Sequence, residues 1–138
     1  MEYIQEAINI LLQRFPGLQA VYLFGSQAGP GEHPESDVDL ALLLSPEHAK
    51  QVSKTYLFHV RTELEKVLNL DVDLINLRMA NTVLQKEVVS TGQRIYCSDN
   101  YAAELFELLV FSAYQKLCQE RAGIVQEIVK SGKVLADE

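Results

Sequence analysis

Two aspartates one position apart, preceded by a glycine–serine pair, are the residues best suited to do chemistry. Gly25-Ser26 is followed, after ten residues, by Asp37-Val38-Asp39. Residues two apart on a β-strand point to the same face, so Asp37 and Asp39 are expected to project together. The opposite, buried face is predicted to hold Val38, Leu40, Leu42 and Leu44. Adjacent carboxylates repel each other unless a cation lies between them, and Mg²⁺ is commonly held by carboxylates and substrate phosphates.

The same stretch could hold a nucleotide triphosphate. A glycine at the end of a strand lets a phosphate approach the backbone, and the hydroxyl of Ser26 and the following amides can donate to it. Two Mg²⁺ ions about 3.5–4 Å apart would clamp the attacking and leaving oxygens of an in-line phosphoryl displacement. A second acidic pair, Asp71 and Asp73, begins a later apolar run. We interpret Asp71 as a solvated residue and assign to Asp73 the third carboxylate, as metal ligand or proton acceptor.

Alternating helices and short apolar strands are predicted to position these residues. Helices are predicted over 3–15, 46–69, 80–91 and 100–130, and strands over 20–24, 37–44, 71–77 and 94–97. Ser45 and Pro46 are typical of a helix start, and residues 27–36, with two glycines and two prolines, are predicted to be a loop. Such alternation indicates a small α/β domain with a mixed sheet.

The C-terminal helix is apolar on more than one side. One stripe consists of Phe106, Leu109, Ala113 and Leu117, and a second of Leu105, Leu108, Phe111 and Cys118. A surface helix needs only one such stripe. The second side is expected to be covered either by the domain's own core or by a partner protein, and the sequence leaves both open.

Composition narrows the function further. The chain has 138 residues, which suggests one domain, and its net charge of −7 argues against a nucleic-acid or anionic-membrane partner. It shows neither an apolar run of roughly 18–20 residues nor a basic, signal-like N-terminus. Cys97 and Cys118 lack the spacing of a zinc site or a disulfide framework. We therefore expect a reduced, cytoplasmic domain.

The pattern Gly25-Ser26-x(10)-Asp37-x-Asp39 resembles the signature of the polymerase β-like nucleotidyltransferase superfamily, specifically its minimal nucleotidyltransferases (MNT). The similarity covers about residues 3–97, and Asp73-Leu74-Ile75-x-Leu77 resembles the family's third strand. The resemblance implies the nucleotidyltransferase fold, a small mixed sheet flanked by helices. It implies a core over 1–97 and a helical segment over 98–138 as a candidate partner-binding surface. It also implies that Asp37, Asp39 and Asp73 are catalytic metal ligands and that Gly25 and Ser26 bind nucleotide.

The resemblance implies a function as well. Family members of this size are typically antitoxins of HEPN–MNT toxin–antitoxin pairs, which transfer AMP from ATP, with Mg²⁺, to a tyrosine of a HEPN ribonuclease toxin and so neutralise it. We therefore expect a protein adenylyltransferase with two Mg²⁺ ions and ATP, in a hetero-oligomer with a HEPN toxin. One alternative is an antitoxin that acts by binding alone. Another is nucleotidyl transfer to a small molecule such as an aminoglycoside, which usually comes with an additional acceptor-binding domain.

One departure from the family concerns charge. Many relatives carry arginines directly after Gly-Ser, in a Gly-Ser-Arg-Ala-Arg-Gly-like run, whereas this chain has Gln27, Ala28 and Gly29. Those arginines would help to neutralise a triphosphate. The basic residues that could take their place are Arg61, Arg78 and Lys86.

Overall fold

A four-stranded mixed sheet with helices on both faces organises the protein. The computed structural model describes residues 2–25 and 38–131. The elements are α1 (Glu2–Arg14), β1 (Leu18–Phe24), β2 (Val38–Leu44), α2 (Pro46–Gln51), α3 (Lys54–Leu68), β3 (Val72–Asn76), a 3₁₀ turn (Leu77–Met79), α4 (Thr82–Thr91), β4 (Gln93–Cys97) and α5 (Asn100–Ser131). The strand order is β3-β2-β1-β4. β2 and β3 are parallel, and β1 is antiparallel to both β2 and β4. The predicted α/β fold with a mixed sheet is confirmed.

The single helix predicted over 46–69 is wrong, because two helices occupy that range. Val52 is extended at the end of α2, and the Ser53 hydroxyl accepts from the Tyr56 amide (3.0 Å) to begin α3. A serine that bonds to a nearby amide offers the backbone an alternative to continued helix. The predicted start at Ser45 is confirmed, since its hydroxyl accepts from the His48 amide (3.4 Å).

The boundary between the predicted third strand and the predicted third helix, over 80–91, also differs from the structure. The strand ends at Asn76, and Leu77 begins the 3₁₀ turn. α4 begins at Thr82, because the side chain of Asn81 accepts from the Leu84 amide (2.8 Å) and caps the helix there. The chain thus turns away from the sheet one residue earlier than predicted.

Each face of the sheet packs its own hydrophobic core. One core joins α1 and α3 to Val38, Leu40, Leu42 and Leu44, which confirms the buried face predicted for β2. The other core joins Ala41 and Leu43 to α4 and α5. Strands buried on both faces read as continuous apolar runs, which explains why β1 and β2 show little alternation.

The C-terminal helix buries only one narrow stripe. Its buried residues are Ala103, Phe106 and Val110, whereas Leu109 and Ala113, predicted to share a stripe with Phe106, are exposed. The second stripe is not covered by the domain's own core, since Leu108 is 67% exposed. None of the helices within the described ranges is long and apolar enough to cross a membrane.

Candidate active site

β1 ends in a turn that lies directly against a carboxylate. Gly25 has a φ of 76°, a conformation that residues with a Cβ rarely adopt. In the antiparallel ladder its neighbour Phe24 is paired with Asp39. A methyl group at Gly25 would overlap Oδ2 of Asp39. Only glycine therefore allows the Asp39 carboxylate to lie against this backbone.

Two of the predicted metal ligands lie side by side on parallel strands. The β2–β3 register pairs Asp39 with Asp73. Residues paired in this way project to the same face of a sheet, on strands about 4.8 Å apart. Asp39 is half-buried and Asp73 is exposed. The fold thus brings together Gly25, Asp39 and Asp73 at the end of the sheet where β1 finishes and β2 and β3 begin.

The remaining predicted site residues, Ser26 and Asp37, lie outside the described residues. Across 2–25 and 38–131, no three or more His, Cys, Asp or Glu side chains are grouped so that they could hold a metal. The predicted set includes Asp37, so the three-carboxylate site stays a prediction. The donor chemistry of Asp39 and Asp73 fits Mg²⁺, which takes oxygen ligands and is often bound by one or two carboxylates.

The start of β3 is fixed by contacts that the sequence did not reveal. Asp71 precedes the strand, and its backbone carbonyl accepts from the Val38 amide (2.8 Å) while its side chain is exposed. The Glu65 carboxylate of α3 accepts from the Val72 amide (3.1 Å). These two bonds hold β3 against β2 and α3 next to Asp73. An acidic residue in the last helical turn before a strand was the available signal for Glu65.

Arg78 cannot replace the arginines that many relatives carry directly after their Gly-Ser pair and that this chain lacks. Its guanidinium donates to the carbonyl of Leu44 and to the Gln19 side chain, and it lies 5.3 Å from the ring centroid of Phe106. Leu44 is the last residue of β2, five positions beyond Asp39, which along a strand is about 16 Å. Burial lowers the pKa of Arg78. Arg78 therefore anchors the opposite end of the sheet.

The other two basic candidates lie beside groups other than the three described site residues. The Lys86 ammonium lies 5.0 Å from the ring centroid of Tyr114, between α4 and α5. Nε of Arg61 lies 3.7 Å from the carboxylate of Glu65, and within the described residues this buried nitrogen has no hydrogen-bond partner. Neither contact is with Gly25, Asp39 or Asp73.

A partly exposed polar cluster links the strand that ends at the site to the C-terminal helix. The Tyr22 hydroxyl donates to Oε2 of Glu107 (2.5 Å), and Arg94 donates to the same oxygen (3.1 Å). Desolvation by burial, and then the bond to Glu107, raise the pKa of Tyr22 well above its ordinary value. Tyr22 lies two residues before Phe24, on the Asp39 face of the sheet. The cluster therefore fixes α5 relative to the end of β1.

Comparison with known proteins agrees with this geometry. Residues 6–101 match the family described as polymerase beta, nucleotidyltransferase. The chain is 34% identical, over 122 residues, to the protein adenylyltransferase MntA of Shewanella oneidensis, and the match covers 88% of this chain and 84% of that protein.

Solved structures show the same similarity. A chain of a toxin–antitoxin complex crystallised with AMP-PNP is 33% identical, with a TM-score of 0.77 over 91% of this chain and 97% of that chain. A complex of the tri-AMPylated HEPN toxin of Shewanella oneidensis with its MNT antitoxin gives 31% identity and a TM-score of 0.74, over 92% and 96%. The nucleotidyltransferase fold and the family resemblance are confirmed. This chain therefore belongs to the polymerase β-type nucleotidyltransferase family, and its relatives include MntA.

Proposed function

We propose that this protein is an antitoxin that transfers AMP from ATP to a tyrosine of a cognate HEPN toxin and so neutralises it. The observation that carries the proposal is the in-register pair of Asp39 and Asp73 beside the Gly25 turn. Its relative MntA is a protein adenylyltransferase, and similar chains are found with AMP-PNP and with an AMPylated HEPN toxin. A protein that uses ATP and meets such a toxin acts in the cytoplasm.

In this proposal each site residue has a role. Gly25 and Ser26 bind the phosphates of ATP, and Asp37, Asp39 and Asp73 hold Mg²⁺, which when bound neutralises phosphate charge and polarises the phosphoryl oxygens. The tyrosine oxygen bonds to the α-phosphorus of ATP while the bond to the α–β bridging oxygen breaks and pyrophosphate leaves. Asp73 is exposed, so it can reach the acceptor and take the tyrosine proton.

The toxin binds to the segment 98–138, which follows the catalytic core of residues 1–97. The first turns of α5 carry an outer patch of exposed residues, namely Tyr101, Leu105, Leu108 and Leu109. Their spacing of three or four residues places them on one side of the helix, away from the stripe that packs on the sheet. A contiguous exposed apolar surface of this kind is typical of a protein–protein contact. We assign it to the HEPN toxin because the similar solved chains are held in toxin–antitoxin complexes.

Transfer of labelled AMP tests the catalytic proposal. The full chain, labelled ATP, Mg²⁺ and the cognate HEPN toxin are incubated together, and wild type is expected to label the toxin while Asp39→Asn does not. Asp71→Asn is the matched control, because Asp71 is exposed and precedes β3. Absence of transfer by wild type, or equal transfer by Asp39→Asn, would overturn the proposal. Undiminished suppression of toxicity by Asp39→Asn would instead favour neutralisation by binding alone.

A further inference from the structure

Glu107 joins α5 to two strands of the sheet through a single carboxylate oxygen. That oxygen accepts from the Tyr22 hydroxyl of β1 (2.5 Å) and from the Arg94 guanidinium of β4 (3.1 Å). Tyr22 is only 2% exposed, and the side chains of Arg94 and Glu107 are each 29% exposed. Glu107 therefore gives α5 a directional contact with the sheet, in addition to the apolar stripe that packs there.

A directional contact matters for α5 because its apolar residues surround most of the helix. Leu105, Leu108 and Leu109 are exposed although they are apolar, so burial of apolar surface, which has no preferred direction, selects one rotation of this helix only weakly. A polar contact inside an apolar interface can select one arrangement among several that bury similar apolar area. We therefore attribute the rotation of α5 on the sheet to the two bonds of Glu107.

The same two bonds lie one row of residues away from the end of β1. Tyr22 and Arg94 are paired across β1 and β4. Phe24 lies two residues after Tyr22, and Gly92 lies two residues before Arg94, which is about 7 Å along each strand. A methyl group at Gly92 would lie 3.3 Å from Cβ of Phe24, so these two residues are in close contact. Each hydrogen-bond donor of the cluster is thus next to a residue that encloses the end of β1.

Phe24 carries this contact to the candidate active site. It is paired with Asp39 on β2 and directly precedes Gly25. It also packs against the core that includes residues of α4 and α5. A shift of α5 or of the Tyr22 ring would therefore move Phe24, and with it the close contact between the Gly25 turn and the Asp39 carboxylate.

We propose that Glu107 is a positioning residue for ATP: through its bond to Tyr22, it holds the end of β1 in place against Asp39. The proposal rests on the proposed function, which supplies ATP as the ligand. Glu107 contacts the strands and not the nucleotide in this arrangement. Its negative charge by itself would weaken the binding of an anionic ligand, so removal of the charge alone should strengthen nucleotide binding. A positioning role predicts the opposite sign.

Three substitutions in the full chain separate position from charge and from general stability. The dissociation constant of AMP-PNP with Mg²⁺ is measured by calorimetry, at a temperature where circular dichroism shows every variant to be folded. Glu107→Ala removes both bonds, and we expect its dissociation constant to rise at least fivefold. Glu107→Gln loses the charge but keeps an oxygen that accepts both bonds, and its dissociation constant should stay within twofold of wild type.

Glu63→Ala is the matched control. The Glu63 carboxylate accepts two bonds of 2.8 Å from Arg14 and joins α1 to α3 on the other face of the sheet. The side chain of Glu63 is 35% exposed, close to the value for Glu107. This control should bind AMP-PNP within twofold of wild type. If Glu107→Ala does not fold, Tyr22→Phe carries the test, since it removes one hydroxyl and should raise the dissociation constant at least threefold.

The outcomes distinguish this inference from the proposed function. Unchanged or tighter AMP-PNP binding by Glu107→Ala would overturn the inference, as would an equal loss in Glu107→Gln or in Glu63→Ala. If wild type still labels the toxin, the proposed function survives each of these results. A wild type that binds AMP-PNP with the expected pattern of variants but labels no HEPN toxin would overturn the proposed function and support the role of Glu107. A wild type that does not bind AMP-PNP would overturn both.

Discussion

Asp39 and Asp73 face the same side of the sheet because β2 and β3 are parallel and pair these residues in register. Asp71, by contrast, precedes β3 and contributes its backbone carbonyl to the Val38 amide. The carboxylate pair that the structure shows therefore lies across two strands. Asp73 and Asp71 therefore differ in their relation to Asp39, although both belong to one Asp-x-Asp sequence.

Asn substitutions of Asp73 and Asp71 are expected to differ sharply. Asp73→Asn removes a carboxylate proposed as both metal ligand and proton acceptor, so the rate of AMP transfer to the toxin should fall by about 100-fold or more. Asp71→Asn should transfer AMP at close to the wild-type rate. Both rates are measured with labelled ATP at saturating toxin. Equal losses in the two variants would contradict the assignment of Asp73 over Asp71.

Gly25→Ala is expected to damage both stability and nucleotide binding. A residue with a Cβ in the left-handed region costs about 1–2 kcal/mol, and here the methyl group would also displace the Asp39 carboxylate. Urea denaturation should show a lower midpoint, and titration should show weaker ATP binding.

Gly123→Ala is the matched control for this substitution. A Cβ at Gly123 meets no atom within 4 Å, and alanine is favoured over glycine inside a helix by up to about 1 kcal/mol. The control should therefore lose neither stability nor ATP affinity. If Gly25→Ala behaved like Gly123→Ala, the close contact between Gly25 and Asp39 would matter neither for stability nor for ATP binding.

Tyr22 should make the protein sensitive to alkaline pH. Burial and the bond to Glu107 raise the pKa of Tyr22 in the folded state, so the neutral phenol is favoured by folding. The contribution of the neutral Tyr22 phenol to the free energy of unfolding is complete below the tyrosine pKa of the unfolded chain, about 10. This contribution is lost as the pH rises toward the higher pKa of the folded state. The free energy of unfolding of wild type should therefore fall above pH 10, and that of Tyr22→Phe should fall less steeply.

Urea unfolding at a series of pH values measures this difference. At pH 7 the Tyr22→Phe variant should be less stable than wild type by about 1.5–3 kcal/mol, the contribution of a hydrogen bond to a charged group. Tyr101→Phe controls for loss of a tyrosine hydroxyl, since Tyr101 is 76% exposed. Parallel pH profiles for wild type and Tyr22→Phe would show that folding does not raise the pKa of Tyr22, and equal stability at pH 7 would show that the bond to Glu107 does not stabilise the fold.

The sequence predicted most of the elements because their periodicities are local. β1 and β2 are short apolar runs, and α1 and α3 repeat apolar residues at helical spacing, so their type follows from the pattern. The break at Ser53 was missed because the apolar face continues across it, while a single serine cap decides where α3 begins. Local capping can override a pattern that is otherwise continuous.

The features that could not be predicted depend on tertiary contacts. The pairing of Asp39 with Asp73 can be known only once the strand order is known. The distance of Arg78 from the candidate site follows from its bonds to Leu44 and Gln19. The sequence grouped Leu109 and Ala113 in one stripe with Phe106, and of these three residues only Phe106 is buried. Apolar residues occur around most of that helix, so periodicity alone does not choose the side that packs on the sheet.

Two residues of α5 should separate stability from partner binding. Phe106 is 6% exposed and packs beneath Arg78, whereas Leu108 is 67% exposed in the outer patch. Phe106→Ala should lower the free energy of unfolding by about 3–5 kcal/mol, as large-to-small core substitutions do. Leu108→Ala should change it by less than about 0.5 kcal/mol and yet weaken toxin binding, because only the partner covers this side chain. Urea denaturation and calorimetric titration with the toxin measure the two quantities, and unchanged toxin affinity in Leu108→Ala would remove the outer patch as the docking surface.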